Sequence, residues 1–141
     1  MPFRRSPFTR LFGTTMYHRD LKVWQESINL VKVVYEALLD FPQNEQYGLS
    51  AQLRRSVVSV PSNIAEGCGR ESNRELYHFL NVASGSLAEV ETQCYIAYSL
   101  GYIEDLSQID EKIGTVQRLL AGFRKHIKKE IEKNKQIDDE V

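Results

Sequence analysis

Apolar residues recur along this chain at steps of three and four, in separate blocks. Leu21, Trp24, Ile28, Val31, Tyr35 and Leu38 mark one face of a first helix, with Asp20 as a fair N-cap and Pro42 closing the segment. A second line, Val23, Leu30 and Val34, makes this helix apolar over more than one stripe. Leu76, Leu80, Ala83, Leu87, Val90, Cys94 and Ala97 hold a heptad spacing without a slip. Ser72 followed by Glu75 predicts a capping box for that helix, each side chain satisfying an orphan backbone donor. The helix should run from Asn73 to Leu100, roughly 40 Å, and stop at Gly101. Ile109, Ile113, Val116, Leu120, Phe123, Ile127 and Ile131 mark the last helix. No strand-like alternation is visible, so the chain reads as all-α.

The remaining block, LRRSVVSVPSNIAEG (53–67), contains a proline. An internal proline removes one helical hydrogen bond and presses its ring on the carbonyl four residues back, here Val57, at a cost of about 3 kcal/mol. Splitting the segment there would leave Val60 as N-cap, and valine has no side-chain acceptor for that role. The stripe Leu49, Leu53, Val57, Val60 and Ile64 steps straight through the proline. Ser56, Ser59 and Ser62 can bond to freed backbone groups, and Gly67 and Gly69 supply the stop. The segment is therefore predicted to be one helix, bent near Pro61. Four long amphipathic helices with short connections predict an up-down-up-down four-helix bundle with packing near +20°.

Composition narrows the function classes. At 141 residues the chain fits one domain, and burying about 68–70% of the extended surface needs no metal or disulfide. The net charge of −1 gives no global basic field. Cys68 and Cys94 read as reduced structural thiols in a cytoplasmic setting, and no apolar run approaches the ~20 residues of a membrane span. Residues 1–19 carry Arg4, Arg5, Arg10 and Arg19 and no acid. They read as a flexible basic arm or as an overlong start with Met16 as a second initiation point; an organelle transit peptide has the same composition. The domain is placed at 20–135, followed by an acidic tail, 136–141.

DLKVWQ (20–25), YGLSAQLRRSVVSVPSNIAEGCGR (47–70) and ELYHFLNVASGSLAEVETQ (75–93) resemble the four-helix-bundle family associated with bacterial large-subunit ribosomal RNA intervening sequences. The resemblance covers about residues 20 to 120. It implies a left-handed bundle that assembles into rings, commonly pentamers, with no established catalytic activity and no cofactor. Some members of that family resemble the accessory protein of diversity-generating retroelements, which binds nucleic acid and a reverse transcriptase. The chain departs from such nucleic-acid-binding relatives in charge: they are markedly basic and it is not.

Charge is nevertheless segregated along the sequence. Arg118, Lys125, Lys129 and Lys133 fall on one line of the last helix, opposite its apolar stripe. Such a row can track phosphates, or it can be a solvated face completed by Glu130 and Glu132. Arg54 and Arg55 sit beside the stripe of the Pro61 helix, and Arg70 and Arg74 flank the loop after it. The four can form one anion patch, or pair with Glu66, Glu71 and Glu75 within a subunit or across an interface. His18, His78 and His126 are widely spaced, Glu89 and Glu91 lack the Glu-x-x-His pattern of bundle metal sites, and GCGR has too few glycines for a phosphate loop. No catalytic, metal or cofactor residue is assigned. The surplus apolar line Val23, Leu30 and Val34 is expected at an oligomer interface, which in a closed ring meets a different surface of its neighbour. The reading is a non-enzymatic, ring-forming homo-oligomeric scaffold. The alternative is an accessory protein that binds RNA or DNA through the basic surfaces of the ring.

Overall fold

Each block of three-and-four spacing is helical in the computed structural model, which describes residues 16–140. The helices are α1 (Lys22–Leu38), α2 (Leu49–Cys68), α3 (Asn73–Ser99) and α4 (Ser107–Glu140), and the described residues contain no strand. The N-terminal arm lies outside the described residues up to position 15. From there, Met16 packs against the core and the His18 ring stands 5.3 Å from that of Trp24. The acidic tail continues α4 as far as Glu140.

α2 passes through Pro61 as one helix, and Pro61 is buried within it. The three serines around the proline take different partners. Ser62 Oγ donates to the Val58 carbonyl at 2.8 Å. Ser56 Oγ reaches Gln93 Oε1 on α3 at 2.6 Å, and Ser59 Oγ pairs with Ser86 Oγ at 2.8 Å. Asn63 Nδ2 closes the seam by donating to the Ser59 carbonyl and hydroxyl, both at 2.8 Å. Ser56, whose hydroxyl also reaches the Leu53 carbonyl at 3.2 Å, and Ser59 therefore fasten α2 to its neighbour. As the seam ascends α2 it descends α3, so the two helices run antiparallel. Arg124 Nε to Asn81 Oδ1 (2.9 Å) and Gln117 Nε2 to Glu91 Oε2 (2.8 Å) show the same opposition between α4 and α3. α1 packs on α2 and α4, and α3 packs on α2 and α4.

The helix ends follow from local chemistry. Ser72 Oγ accepts from the Glu75 amide (3.2 Å), while the Glu75 carboxylate takes the Ser72 hydroxyl (3.1 Å) rather than a backbone donor. α3 stops where Gly101 adopts φ 81°, a left-handed conformation that glycine enters without steric cost. The Gly101 amide bonds the Tyr98 carbonyl and the Tyr102 amide that of Ala97, the pattern of a Schellman cap. Asp20 does not cap α1. It sits in a 3-10 turn, and Leu21 occupies the cap position without a side-chain bond. Gly67 is not a helix stop either. A Cβ there would stand 2.9 Å from Leu76 Cδ1 and 3.0 Å from Phe79 Cβ, so its bare Cα is what lets α3 approach α2 this closely.

A single core fills the space between the helices. All seven positions of the α3 heptad line are buried, as are Leu53, Val57, Val60 and Ile64 of α2 and Ile109, Ile113, Val116, Leu120 and Ile127 of α4. The two stripes of α1 are exchanged relative to expectation. Val23, Leu30 and Val34, expected at an oligomer interface, join Ser27 and Leu38 inside the bundle, with Leu30 and Val34 at 0% exposure. Burial inside the chain's own core takes these three out of reach of a neighbouring subunit. Trp24, Ile28, Val31 and Tyr35 form the outer stripe.

The contact at Gly67 sets the first expectation. Gly67→Ala forces Leu76 or Phe79 to move and should destabilise the fold by about 1–3 kcal/mol. Thermal unfolding followed by circular dichroism should show a Tm several degrees lower, whereas Gly122→Ala, with open space at its Cβ, should not lower it.

Candidate interaction surfaces

The outer stripe of α1 continues onto α2. Val33 and Ala37 line a groove shared with Ile109 of α4, so Trp24 and Val31, on the opposite flank of α1, lie toward α2. On α2, Ser56, Ser59 and Asn63 face α3, which places Val58 on the flank toward α1. Trp24 and Val31 lean against the edge of the core, while Tyr35 (41%) and Val58 (40%) remain substantially exposed. Ile28 is half-buried between them in sequence register. The result is an apolar strip along the α1/α2 face, flanked by polar positions.

The basic row of α4 lies where its spacing predicts. Arg118, Lys125, Lys129 and Lys133 are all exposed, opposite the buried line. Lys133 Nζ comes within 3.5 Å of Glu130 Oε1, and Arg118 donates to Thr115 Oγ1 at 3.4 Å. Both are solvated contacts that leave the cations available. The other four arginines do not form one patch. Arg55 lines a groove of about 400 Å³ between α2 and α3 with Glu89 and Gln93. Arg70 lies 15 residues further on, about 20 Å along the axis. Its guanidinium is engaged by the Glu66 carboxylate and lies 4.7 Å above the Phe79 ring. This is the intrasubunit pairing that the flanking acids suggested. Arg54 is half-buried and Arg74 exposed.

The opposite charge gathers where α1 ends and α4 begins. Residues 33–53 carry Glu36, Asp40 and Glu45 and no base, and residues 99–111 carry Glu104, Asp105, Asp110 and Glu111 and no base, while Glu89 and Glu91 lie further back along α3. Some of these acids have local structural work. Glu45 Oε2 accepts from the Leu49 amide at 3.3 Å. Asp105 Oδ1 accepts from the Ser107 hydroxyl and amide, which holds its carboxyl below the usual carboxylate range. Asp110 lies in the first turn of α4, where the helix dipole favours an anion. Glu36, Asp40 and Glu104, together with Asp105, line a groove of about 520 Å³ whose floor includes Val33, Ala37 and Ile109.

Among the described residues no group of three or more His, Cys, Asp and Glu side chains is placed to hold a metal ion. His78 is exposed, 5.4 Å from the Phe79 ring, and His126 is exposed on α4. Partial burial, then the Arg19 charge, holds the His18 pKa below its ordinary value. Cys68 and Cys94 are both buried and form no disulfide, and burial, with a smaller contribution from Asp110, pushes the Cys94 thiol up to about 12. The feature that sequence reasoning missed is the α2/α3 polar seam. Its one signal was Ser86, a polar residue beside the buried line at Ala83, Leu87 and Val90.

Residues 19–122 match the family model described as 23S rRNA-intervening sequence protein. The match takes in α1, α2, α3 and the first half of α4; Lys125, Lys129 and Lys133 lie past it. No curated protein matches the chain. Among the described residues no helix is long and apolar enough to cross a membrane.

The buried thiols give a second expectation. At pH 8 the native protein should be unreactive toward a thiol reagent such as Ellman's, since attack requires thiolate and access. Both cysteines should react once the chain is unfolded in guanidinium. Rapid modification of Cys94 in the folded protein would contradict its placement.

Proposed function

The chain belongs to the 23S rRNA-intervening sequence protein family, and from that premise we propose that it is a non-enzymatic scaffold that self-associates through the apolar α1/α2 face. The family is not a known enzyme family. The observation that carries the reading is the strip of Trp24, Ile28, Val31, Tyr35 and Val58, left partly exposed after the core is complete. An exposed apolar surface rimmed by polar residues marks an interaction site. The resemblance favours a closed ring of five, in which this strip meets a different surface of the next subunit.

A second reading concerns nucleic acid, and the exposed Lys125, Lys129 and Lys133 row is what favours it. A ring would present one copy of the row per subunit, so that avidity adds to modest single contacts. Binding of that kind contacts phosphates and is indifferent to sequence.

Two measurements test these readings. Light scattering at micromolar concentration should give a multiple of the 16.3 kDa chain mass. The doubly substituted Ile28→Glu, Val58→Glu protein should fall toward the monomer with its helical circular dichroism intact. A wild-type mass of one chain would overturn the scaffold reading. For nucleic acid, retention of RNA or DNA should weaken steeply between about 50 and 200 mM salt. Joint replacement Lys125→Gln, Lys129→Gln and Lys133→Gln should flatten that dependence, each lost phosphate contact reducing the slope by about one. Failure of the intact oligomer to retain either polymer at about 50 mM salt excludes the second reading.

A further inference from the structure

Glu36, Asp40, Glu104, Asp105, Asp110 and Glu111 gather at the end of the bundle where α1 stops and α4 starts, while residues 118–135, further along α4, carry seven bases and two acids. A net charge of −1 thus conceals two oppositely charged surfaces on one molecule. We propose that copies of this protein associate head to tail, the acidic groove between α1 and α4 of one copy receiving the Lys125, Lys129 and Lys133 face of another.

The groove has the chemistry for lysine in both its parts. Val33, Ala37 and Ile109 offer an apolar floor for the methylene stems, and Glu36, Asp40 and Glu104 provide carboxylates at the rim for the ammonium heads. Among the described residues the side chains of Glu36, Asp40 and Glu104 make no hydrogen bond or ion pair, in contrast to Asp105 and Glu45. Their charge is unspent within the chain. On α4, Lys125 and Lys129 likewise pair with no acid, and Lys133 has only its solvated contact with Glu130. Groove and row are different surfaces, so each copy keeps a free groove and a free row after joining, and the association is open-ended. Exposed ion pairs are individually weak, so the contact depends on several acting together under low screening. It is separate from the apolar α1/α2 contact, which salt does not weaken. Nucleic acid could occupy the basic row, but it has no use for the acidic groove; the presence of both favours a protein surface as occupant.

The test compares nuclease-treated wild type at about 10 mM salt, where charges act over about 30 Å, with the same protein at about 1 M, where they act over about 3 Å. The weight-average mass by sedimentation should be at least about twofold higher at low salt and fall on dilution. Two variants locate the contact: Glu36→Lys with Glu104→Lys, and Lys129→Glu with Lys133→Glu, all at exposed positions. Each variant alone should lose the low-salt increase, and an equimolar mixture should regain it, because one now supplies a basic groove and the other an acidic row. Equal mass at both salts, or a mixture that stays at the mass of its components, overturns the proposal. So does a low-salt increase that vanishes on nuclease treatment, which would identify nucleic acid as the bridge. Mass above one chain that persists at about 1 M salt reports the apolar contact alone, so the two associations fail separately.

Discussion

A helix with a proline and a glycine among its buried residues has limited means of holding itself together, and α2 depends on what packs around it. Pro61 has no amide to offer the Val57 carbonyl, and Gly67 has no side chain to fill space. The compensation comes from α3. The bare Cα of Gly67 admits Leu76 and Phe79, and Ser56 and Ser59 fasten the pair further along. With α2 held against α3, its apolar face is presented to α1 and α4, and one core closes around it. The rest of the bundle depends on this pairing.

The surfaces follow from the same arrangement. Because the α2/α3 side is closed by polar cross-links, the apolar remainder on α1 and Val58 is left on the opposite flank. Because the α3–α4 connection returns beside the end of α1, acids far apart in sequence, Glu36 and Glu104, share one groove. Charge that cancels in the sum is separated in space, and the net value describes neither half of the molecule.

Much of this was legible in the sequence, and the exceptions have physical causes. The α3 line was readable because its apolar positions form one unbroken stripe beside polar ones, which leaves a single way to face inward. α1 was ambiguous because two adjacent stripes are apolar. The longer run of three-and-four steps through Trp24 and Tyr35 read as the helix face, whereas the buried stripe includes Ser27, whose hydroxyl is satisfied by the Trp24 carbonyl at 2.7 Å. Periodicity identifies stripes; which of two faces the core is decided by neighbours that the sequence does not show. The α4 row was legible because nothing competes for a face opposite a clean apolar line. The arginines near Pro61 were not: proximity in sequence becomes separation along a rod, and Arg70 had a partner one turn away in Glu66.

The turn between α2 and α3 spans only residues 69–72. For a chain searching for its fold, that is a small loop to close before the two most interdependent helices can meet, and the entropy of closure rises only slowly with length. The notch at Gly67 lies beside the turn, but the hydroxyl seam at Ser56 and Ser59, which meets Gln93 and Ser86, sets the alignment of the pair well away from it. Lengthening the turn by a few residues would therefore alter the search more than its outcome, and the hairpin would index to the same position. Evolution can use such a turn as a place to add chain without re-aligning the helices it joins.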